Sequence, residues 1–549
     1  MGTGAAHERI PTQVQSGQLS RRQFLQRIGL TGAGLAALPI LAACGTSLAT
    51  PAPSTAPTSG ASAAPSSAPA GGASAAPSSR PATAGASTAP SGAASAAPAG
   101  SATAIPPTPT AIAGITRTKS SAKVTGKLQI LLNADFIPAQ TDFNRSEMEE
   151  FAKVSGWQYE VTPVAGFQGG GDLKTKLSAQ VQSGNAPDLL MHTENARTYQ
   201  FLNLLEPTTD LVTQLQEQYG QASPAFKNDL FFKGEGANKE EWWAVPYHTR
   251  VDGLWIRSDI FKAQGLDPVA DVETYEKLRE TALKVSNPEQ KLWGWGMTAN
   301  RGGDGEGLVK HVTWRYGSRL QDETGQLVRF DSPETIAGLT FLKETLTDPK
   351  WAKMLPPGIN AWTDPSNNEA FLAGQLVMTQ NGGTMYAKAQ LDKVPFAKDI
   401  IWRPFPKRLS DGKYLELYSG NRWLMLKGTK NKDASYDLIR HMQSLPVQQK
   451  LWQIGLGYSV AAYNNQQSDP ILQGNDVAKS ALQIAFTPTD WTGIRWPGPP
   501  NQAVDTIDSN NSYTDAMAEI LQGKPVAEVV KNYHAKFVQI FKDFGLKGA

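Results

Sequence analysis

Between residues 127 and 195 the apolar pattern switches period again and again, and this alternation constrains the fold more than any other feature of the chain. KLQILLNADF (127–136) is a continuous apolar run with a polar end, the pattern of a buried strand. FNRSEMEEFAKVSG (143–156) places Phe143, Met148, Phe151 and Ala152 on one helical face. WQYEVTPV (157–164) alternates as a second strand, DLKTKLSAQVQSG (172–184) reads as a helix stopped by Gly184, and APDLLMHTEN (186–195) is a third strand. Strand, helix, strand, helix, strand predicts an α/β sheet of parallel strands joined by right-handed crossovers. Ligands of such sheets sit beyond the carboxyl ends of the strands, so NADF, MHTEN and PYHTR (246–250) are the segments expected to bind.

The body that carries this pattern, residues 118–549, holds all 14 tryptophans and is long enough for two packed lobes. What precedes it cannot build a core. From Gly45 to about Ile115 the chain is almost entirely Ala, Pro, Ser, Gly and Thr, with Arg80 as its one charge, which predicts an unstructured linker. A mucin-like glycosylated stalk is compatible with the same composition. Residues 1–43 read as an export signal: Arg9, Arg21, Arg22 and Arg27 come first, then an apolar run over 28–43 that is too short to span a bilayer. SRRQFL (20–25) resembles the twin-arginine signal.

The chain has one cysteine, Cys44, and LAAC (41–44) resembles the bacterial lipobox, in which the signal is cut before a lipidated cysteine. This predicts a domain order of signal (1–43), lipid-anchored linker (44–117) and body (118–549), with a bacterial cell-membrane location outside the cytoplasm. With no second cysteine the exported part has no disulfide, no thiolate metal site and no thiol nucleophile. Five arginines and one glutamate lie before residue 116, so residues 116–549 carry 47 basic against 49 acidic residues. A near-neutral body lacks the concentrated basic patch that binds nucleic acid.

Six further segments, in order, resemble the extracellular solute-binding proteins of ABC importers, the group that includes maltose-binding protein. They are SGNAPDLLMHTEN, NLLEPTTDLV, EWWAVPYHTRVDGLWIRSDIFKAQGLD, FDSPETIAGLTFLKETL, NNEAFLAGQLVMTQNGG and ILQGKPVAEVVKNYHAKF. The resemblance implies a two-lobed α/β periplasmic-binding-protein fold of type II that closes on a solute by hinge motion. Carried over, lobe one covers about 125–249 and 377–441, lobe two about 250–376 and 442–549, with crossings near 247–250, 376–379 and 441–445. It also implies a monomer that hands a sugar to an ABC permease, without cofactor or metal.

Carried residue by residue, the family's polar contacts after the first strand fall on Asn133, Asp135 and Phe136, and those after the third strand on His192, Thr193, Glu194 and Asn195. The first crossing brings Tyr247 and Arg250, the turn NGGT (381–384) brings Asn381, and Asn421 completes the polar set. The family's stacking tryptophan at that turn is missing, with Tyr386 or Trp362 as substitutes. Rings suit sugars because the C–H face of a pyranose is apolar while its rim needs polar partners. Trp314, Trp362, Tyr386, Trp423, Trp491 and Trp496 lie in or beside Gly, Pro or polar segments and are candidates; Trp157, Trp255 and Trp452 read as core. Arg250, Arg422 and Arg495 either give the cleft a positive cast or are surface arginines. His192 and His248 lack the spacing of a metal site.

An exported, tryptophan-rich chain is also compatible with a secreted carbohydrate-active enzyme or with a sensor that presents ligand to a membrane receptor. Against catalysis, Glu147, Glu149 and Glu150 read as the solvated side of a helix and Asp304 and Glu306 as part of a flexible glycine loop. No G-x-S-x-G, H-E-x-x-H or P-loop is present, and GFQGGGDLK (166–174) reads as a plain loop. The expectation is a non-enzymatic receptor.

Overall fold

The computed structural model describes residues 114–165, 170–415, 418–486 and 496–549. The signal, Cys44, nearly all of the linker, Trp491 and Arg495 lie outside the described residues.

β1 (Leu128–Ala134) and β2 (Tyr159–Ala165) pair in parallel, and β3 (Leu189–His192) flanks β1 on the other side, also in parallel. Leu128, Ile130 and Leu132 of β1 are buried, and the helix Pro138–Ser155 covers them with Phe143, Met148 and Phe151. That helix starts on a proline in its first turn and stops at Gly156, whose left-handed backbone a glycine adopts without strain. A separate ribbon is formed by β4 (Phe231–Lys233) and β5 (Glu240–Trp242).

The two lobes share one strand. β6 (Val245–Arg257) has 13 residues, enough to run through both. Its first half, to Val251, pairs with β10 (Tyr418–Met425), which joins β3; its second half, from Asp252, pairs with β8 (Leu376–Gly382) and β9 (Ile400–Arg403), and β7 (Trp293–Gly296) extends that side through β8. The continuous strand order is β2-β1-β3-β10-β6-β8-β7. Two apolar cores flank it. Lobe one packs around Leu128, Met191, Tyr247 and Trp423, and lobe two around Leu254, Trp295, Phe330 and Tyr513.

The first crossing lies at 250–252, beside the expected position. The second does not lie at 376–379: β8 is wholly paired within lobe two, as is β9, so the chain returns to lobe one only between Arg403 and Tyr418. The helices Lys432–Met442 and Leu445–Gly455 both bury residues in the lobe-one core, and the helix Asp476–Phe486 packs with Trp452 and Val460. Residues 442–486 therefore pack with lobe one, and the chain does not cross at 441–445. The apolar pattern marked the helices correctly, but two helices joined by a short turn look the same whether or not a lobe boundary passes between them.

Glu147 is not on a solvated face. It is buried between Arg117 (2.6 Å) and His441 (2.6 Å), a link between the start of the body and the helix Lys432–Met442. Away from the hinge the lobes also touch directly. Arg197, on the helix Ala196–Phe201, lies 3.5 Å from the buried Asp505 of lobe two, and Phe201 meets Phe544 edge-on at 5.0 Å.

Candidate functional site

The site is built on the shared strand. Arg422 of β10 pairs with Pro246 and Asn421 with His248, so β6 bulges at Tyr247. Tyr247 turns into the lobe-one core and donates its hydroxyl to Asn144 at 2.6 Å. From there the alternation of a strand puts His248, Arg250 and Asp252 on one face, at the point where the sheet passes between lobes.

Arg250 is the centre. Its guanidinium donates to the Tyr458 hydroxyl, and that hydroxyl donates to Asp135 Oδ2 at 2.8 Å. Asp135 is fixed in the turn after β1: its Oδ1 accepts from the Ile137 N–H at 3.2 Å, and its own N–H donates to Thr141 Oγ1 at 2.9 Å. Asn133, 2% exposed, adds its amide to Asp135 Oδ2 at 3.4 Å. Burial opposes the charge of Arg250, but Tyr458, Asp135 and Asp252 hold it firmly ionised. Burial pushes the Asp135 carboxyl above its usual range, and Arg250 opposes that rise. Burial likewise raises Asp252, again against Arg250.

Lobe two contributes a carboxylate from the first turn of the helix Gly303–Arg315. Asp304 Oδ2 accepts from Asn381 Nδ2 at 2.7 Å and from Asn367 Nδ2 at 3.2 Å. The helix start is seated on Asp364, which accepts from the N–H groups of Gly303 (2.8 Å) and Asp304 (3.3 Å). A Cβ on Gly302 would stand 2.2 Å from Asp364 Oδ1, so only glycine permits this approach. Burial, then the carboxylates of Asp364 and Asp252, push Asp304 well above the ordinary range. Asp304 and Glu306, expected in a loop, are helical. Glu306 is buried and accepts from the N–H groups of Tyr513 and Thr514.

A second cluster lines the lobe-one wall. His192 ends β3, 2% exposed, opposite Arg422. Glu194 is pushed up to about 7 by burial, against the pull of Lys174. Asn195 faces the helix behind it: its Oδ1 caps Ala196–Phe201 through the Thr198 N–H at 3.0 Å.

The structure therefore brings together Asn133, Asp135, Arg250 and Asn381, with His192 and Asn421 on the adjoining strands and Phe136 half-buried beside Asp135. Tyr247 and Asn195 serve the scaffold. Of the stacking candidates, Trp314 and Trp423 are buried in the protein, Trp314 edge-on to His311 at 5.9 Å. Tyr386 stacks on the core Trp255 at 5.5 Å. Trp496 is held between Arg319 (5.7 Å) and Arg408 (5.0 Å), near the far end of the helix whose first turn carries Asp304. A helix of 13 residues is about 20 Å long, which separates the two. Trp362 keeps the best position: it is half-buried, two residues before Asp364, with its carbonyl accepting from Asn300 at 2.9 Å. Arg422 is occupied by Asp229 on the helix Pro224–Leu230, so it gives the cleft no positive cast.

Sequence reasoning missed Tyr458, Asp252 and Asp364. Tyr458 had a weak signal, a tyrosine inside the GLGYS loop that follows a helix. Asp252 followed from Arg250 by strand alternation alone. Among the described residues no group of three His, Cys, Asp or Glu could hold a metal ion.

Residues 143–449 match the sequence profile of the family described as bacterial extracellular solute-binding protein. A search of curated proteins gave no match. Among solved structures, MalE3 of T. maritima with maltose bound is 18% identical with a TM-score of 0.63, covering 76% of this chain and 99% of its own. An ABC transporter solute-binding protein of Thermotoga lettingae bound to α-D-tagatose is 17% identical with a TM-score of 0.62, covering 76% and 100%. The GacH receptor of Streptomyces glaucescens, solved unliganded and with acarbose, is 16% identical with a TM-score of 0.61, covering 77% and 100%. At these identities the likeness concerns the two-lobed α/β fold.

Proposed function

The chain belongs to the bacterial extracellular solute-binding protein family, and from that premise we propose that it is a lipid-anchored receptor that captures a mono- or oligosaccharide, or a sugar alcohol, and delivers it to an ABC permease. One observation carries the choice of solute. The groups around the inter-lobe junction are short polar side chains, Asn133 bonded to Asp135 beside Tyr458 in lobe one and Asn381 bonded to Asp304 in lobe two, which is the chemistry a hydroxyl-rimmed ring needs. Structures of the same fold hold tagatose, maltose, ribitol and mannitol, which supports the same class.

Ligand favours the closed form only through contacts that improve on closing. Asp135 comes from lobe one and Asp304 from lobe two, with Arg250 on the strand that joins them, so a solute between them draws both lobes together. Trp362 supplies the ring on the lobe-two side. The family relatives are solute-binding proteins, and we assign no catalytic step to the cleft. The anchor belongs to the same reading: cleavage before Cys44 leaves a lipidated N-terminus and a tether of about seventy residues, roughly 45 Å root-mean-square.

A thermal-shift screen of the purified chain against saccharides and sugar alcohols tests the receptor. A ligand at 100 times its dissociation constant adds about 2.7 kcal/mol. At least one should raise the midpoint; no shift across the panel contradicts the reading. For the anchor, Cys44→Ala should abolish fatty-acid labelling and cleavage of the signal, and unchanged labelling would refute it.

A further inference from the structure

The carboxylates at the junction outnumber its cation. Asp135, Asp252 and Asp304 all act electrostatically on the single guanidinium of Arg250, and they come from the turn after β1, from β6 and from the helix Gly303–Arg315. Arg250 is already committed to the Tyr458 hydroxyl. Among the described residues the Asp304 side chain receives only neutral amide donors, and both land on the same oxygen. Asp364 adds a fourth carboxyl, but its two oxygens are taken by the helix start it caps.

Independent of charge, the junction leaves buried polar atoms unfilled, which among the described residues include both ring nitrogens of His248 as well as amide acceptors. Asn133 gives its amide N–H to Asp135, yet its Oδ1, buried with the residue 2% exposed, has no hydrogen-bond partner among the described residues. Asn421 Oδ1, buried to the same degree opposite His248, has none among them either, while its Nδ2 approaches Met191 Sδ at 3.5 Å. A buried acceptor without a donor is costly, so an occupant that brings several donors is favoured. A metal ion does not answer this need, because among the described residues the carboxylates do not converge into a coordination group. The counter-charge must be spread over a molecule that bridges both lobes.

We propose that the solute carries a protonated amine beside its hydroxyls, an amino sugar or an amino-substituted oligosaccharide, with the ammonium held between Asp304 and Asp252. An ammonium offers three donors and forms charge-assisted bonds to carboxylates, roughly twice as strong as neutral ones. Arg250 then keeps Asp135 and the lobe-one side in place while the ligand's cation neutralises the lobe-two side. This inference rests on the receptor reading of the same cleft.

Isothermal titration of the full chain at pH 7 with matched pairs decides it. The probes are D-glucosamine against D-glucose, and unacetylated chitobiose against cellobiose, with N,N′-diacetylchitobiose as the uncharged analogue that keeps its N–H groups. The amine members should bind at least about tenfold more tightly than their neutral partners, and acetylation should erase the gain. Asp304→Asn should shrink the preference, and Asp252→Asn gives the same readout if the first variant does not fold. Equal or tighter binding of the neutral or acetylated members overturns the inference and leaves the receptor reading standing. Absence of binding by every saccharide, amine or neutral, overturns both.

Discussion

Glu147 is a buried carboxylate and Asp304 a half-buried one, and their surroundings are opposite. Glu147 has a nitrogen partner on each oxygen, Arg117 at 2.6 Å and His441 at 2.6 Å, and His441 is itself stacked on Phe151 at 4.4 Å. Burial alone would raise its carboxyl, but the bonds from His441 and Arg117 outweigh it and hold the group below the usual range. Asp304 has amides on one oxygen and two further carboxylates nearby, so burial and repulsion act together and raise it. The first cluster is complete without a ligand. The second is not, and the difference separates a group that holds the fold from a group that waits for a partner.

The largest effect expected from this contrast is on Glu147. Glu147→Ala leaves the Arg117 guanidinium and the His441 ring without their buried acceptor, which costs about 3–5 kcal/mol by analogy with broken buried pairs. Denaturant unfolding measures it, and a loss under about 1 kcal/mol would show that the cluster is not structural.

Acid should divide the two clusters by sign. A carboxyl lowered in the folded state stabilises above its unfolded value and loses that contribution as pH falls through the folded value, so Glu147 supports the fold fully above about 4.5 and loses that support as pH falls from there through its lowered folded value. A carboxyl raised in the folded state does the reverse: the penalty of Asp304 is absent below 3.8 and grows as pH rises toward its folded value. Thermal midpoints from pH 3.5 to 7 should therefore show the deficit of Glu147→Gln opening with rising pH, while any gain in Asp304→Asn opens over the same range. Parallel curves would remove the distinction.

A smaller effect is expected at the link between the cleft's two halves. Tyr458→Phe removes the hydroxyl between Arg250 and Asp135 and should cost about 1 kcal/mol in stability, because one hydrogen-bonded chain is broken but the ring remains. Small-angle scattering with a saturating saccharide should then show incomplete closure relative to the native chain. Full closure in the variant would place Tyr458 outside the mechanism.

Much of the fold was legible because burial is periodic. The strands over 127–136, 157–164 and 186–195 and the helices between them follow from apolar spacing, and the resemblance segments carried the two-lobed architecture. The crossings were less legible. β8 reads as an apolar strand in either lobe, and only its pairing with β6 and β7 assigns it. At the site, residues adjacent to strand ends were found, Asn133, Asp135 and Arg250 among them. What escaped was partnership across long separations: Tyr458 lies 208 residues from Arg250, and Asn381 lies 77 from Asp304. Trp314 misled because polar neighbours, His311 and Arg315, are themselves buried with it.

The central claim is that the junction carboxylates serve the ligand and not the fold, and Asp304→Asn tests it by two readings on one protein. Titration with the tightest saccharide found should show at least about tenfold weaker binding, since a charge-assisted hydrogen bond contributes about 1.5–3 kcal/mol. Denaturant unfolding at pH 7, without ligand, should show the variant no less stable than the native chain. Unchanged affinity together with a clear loss of stability would contradict the account, making Asp304 a second Glu147.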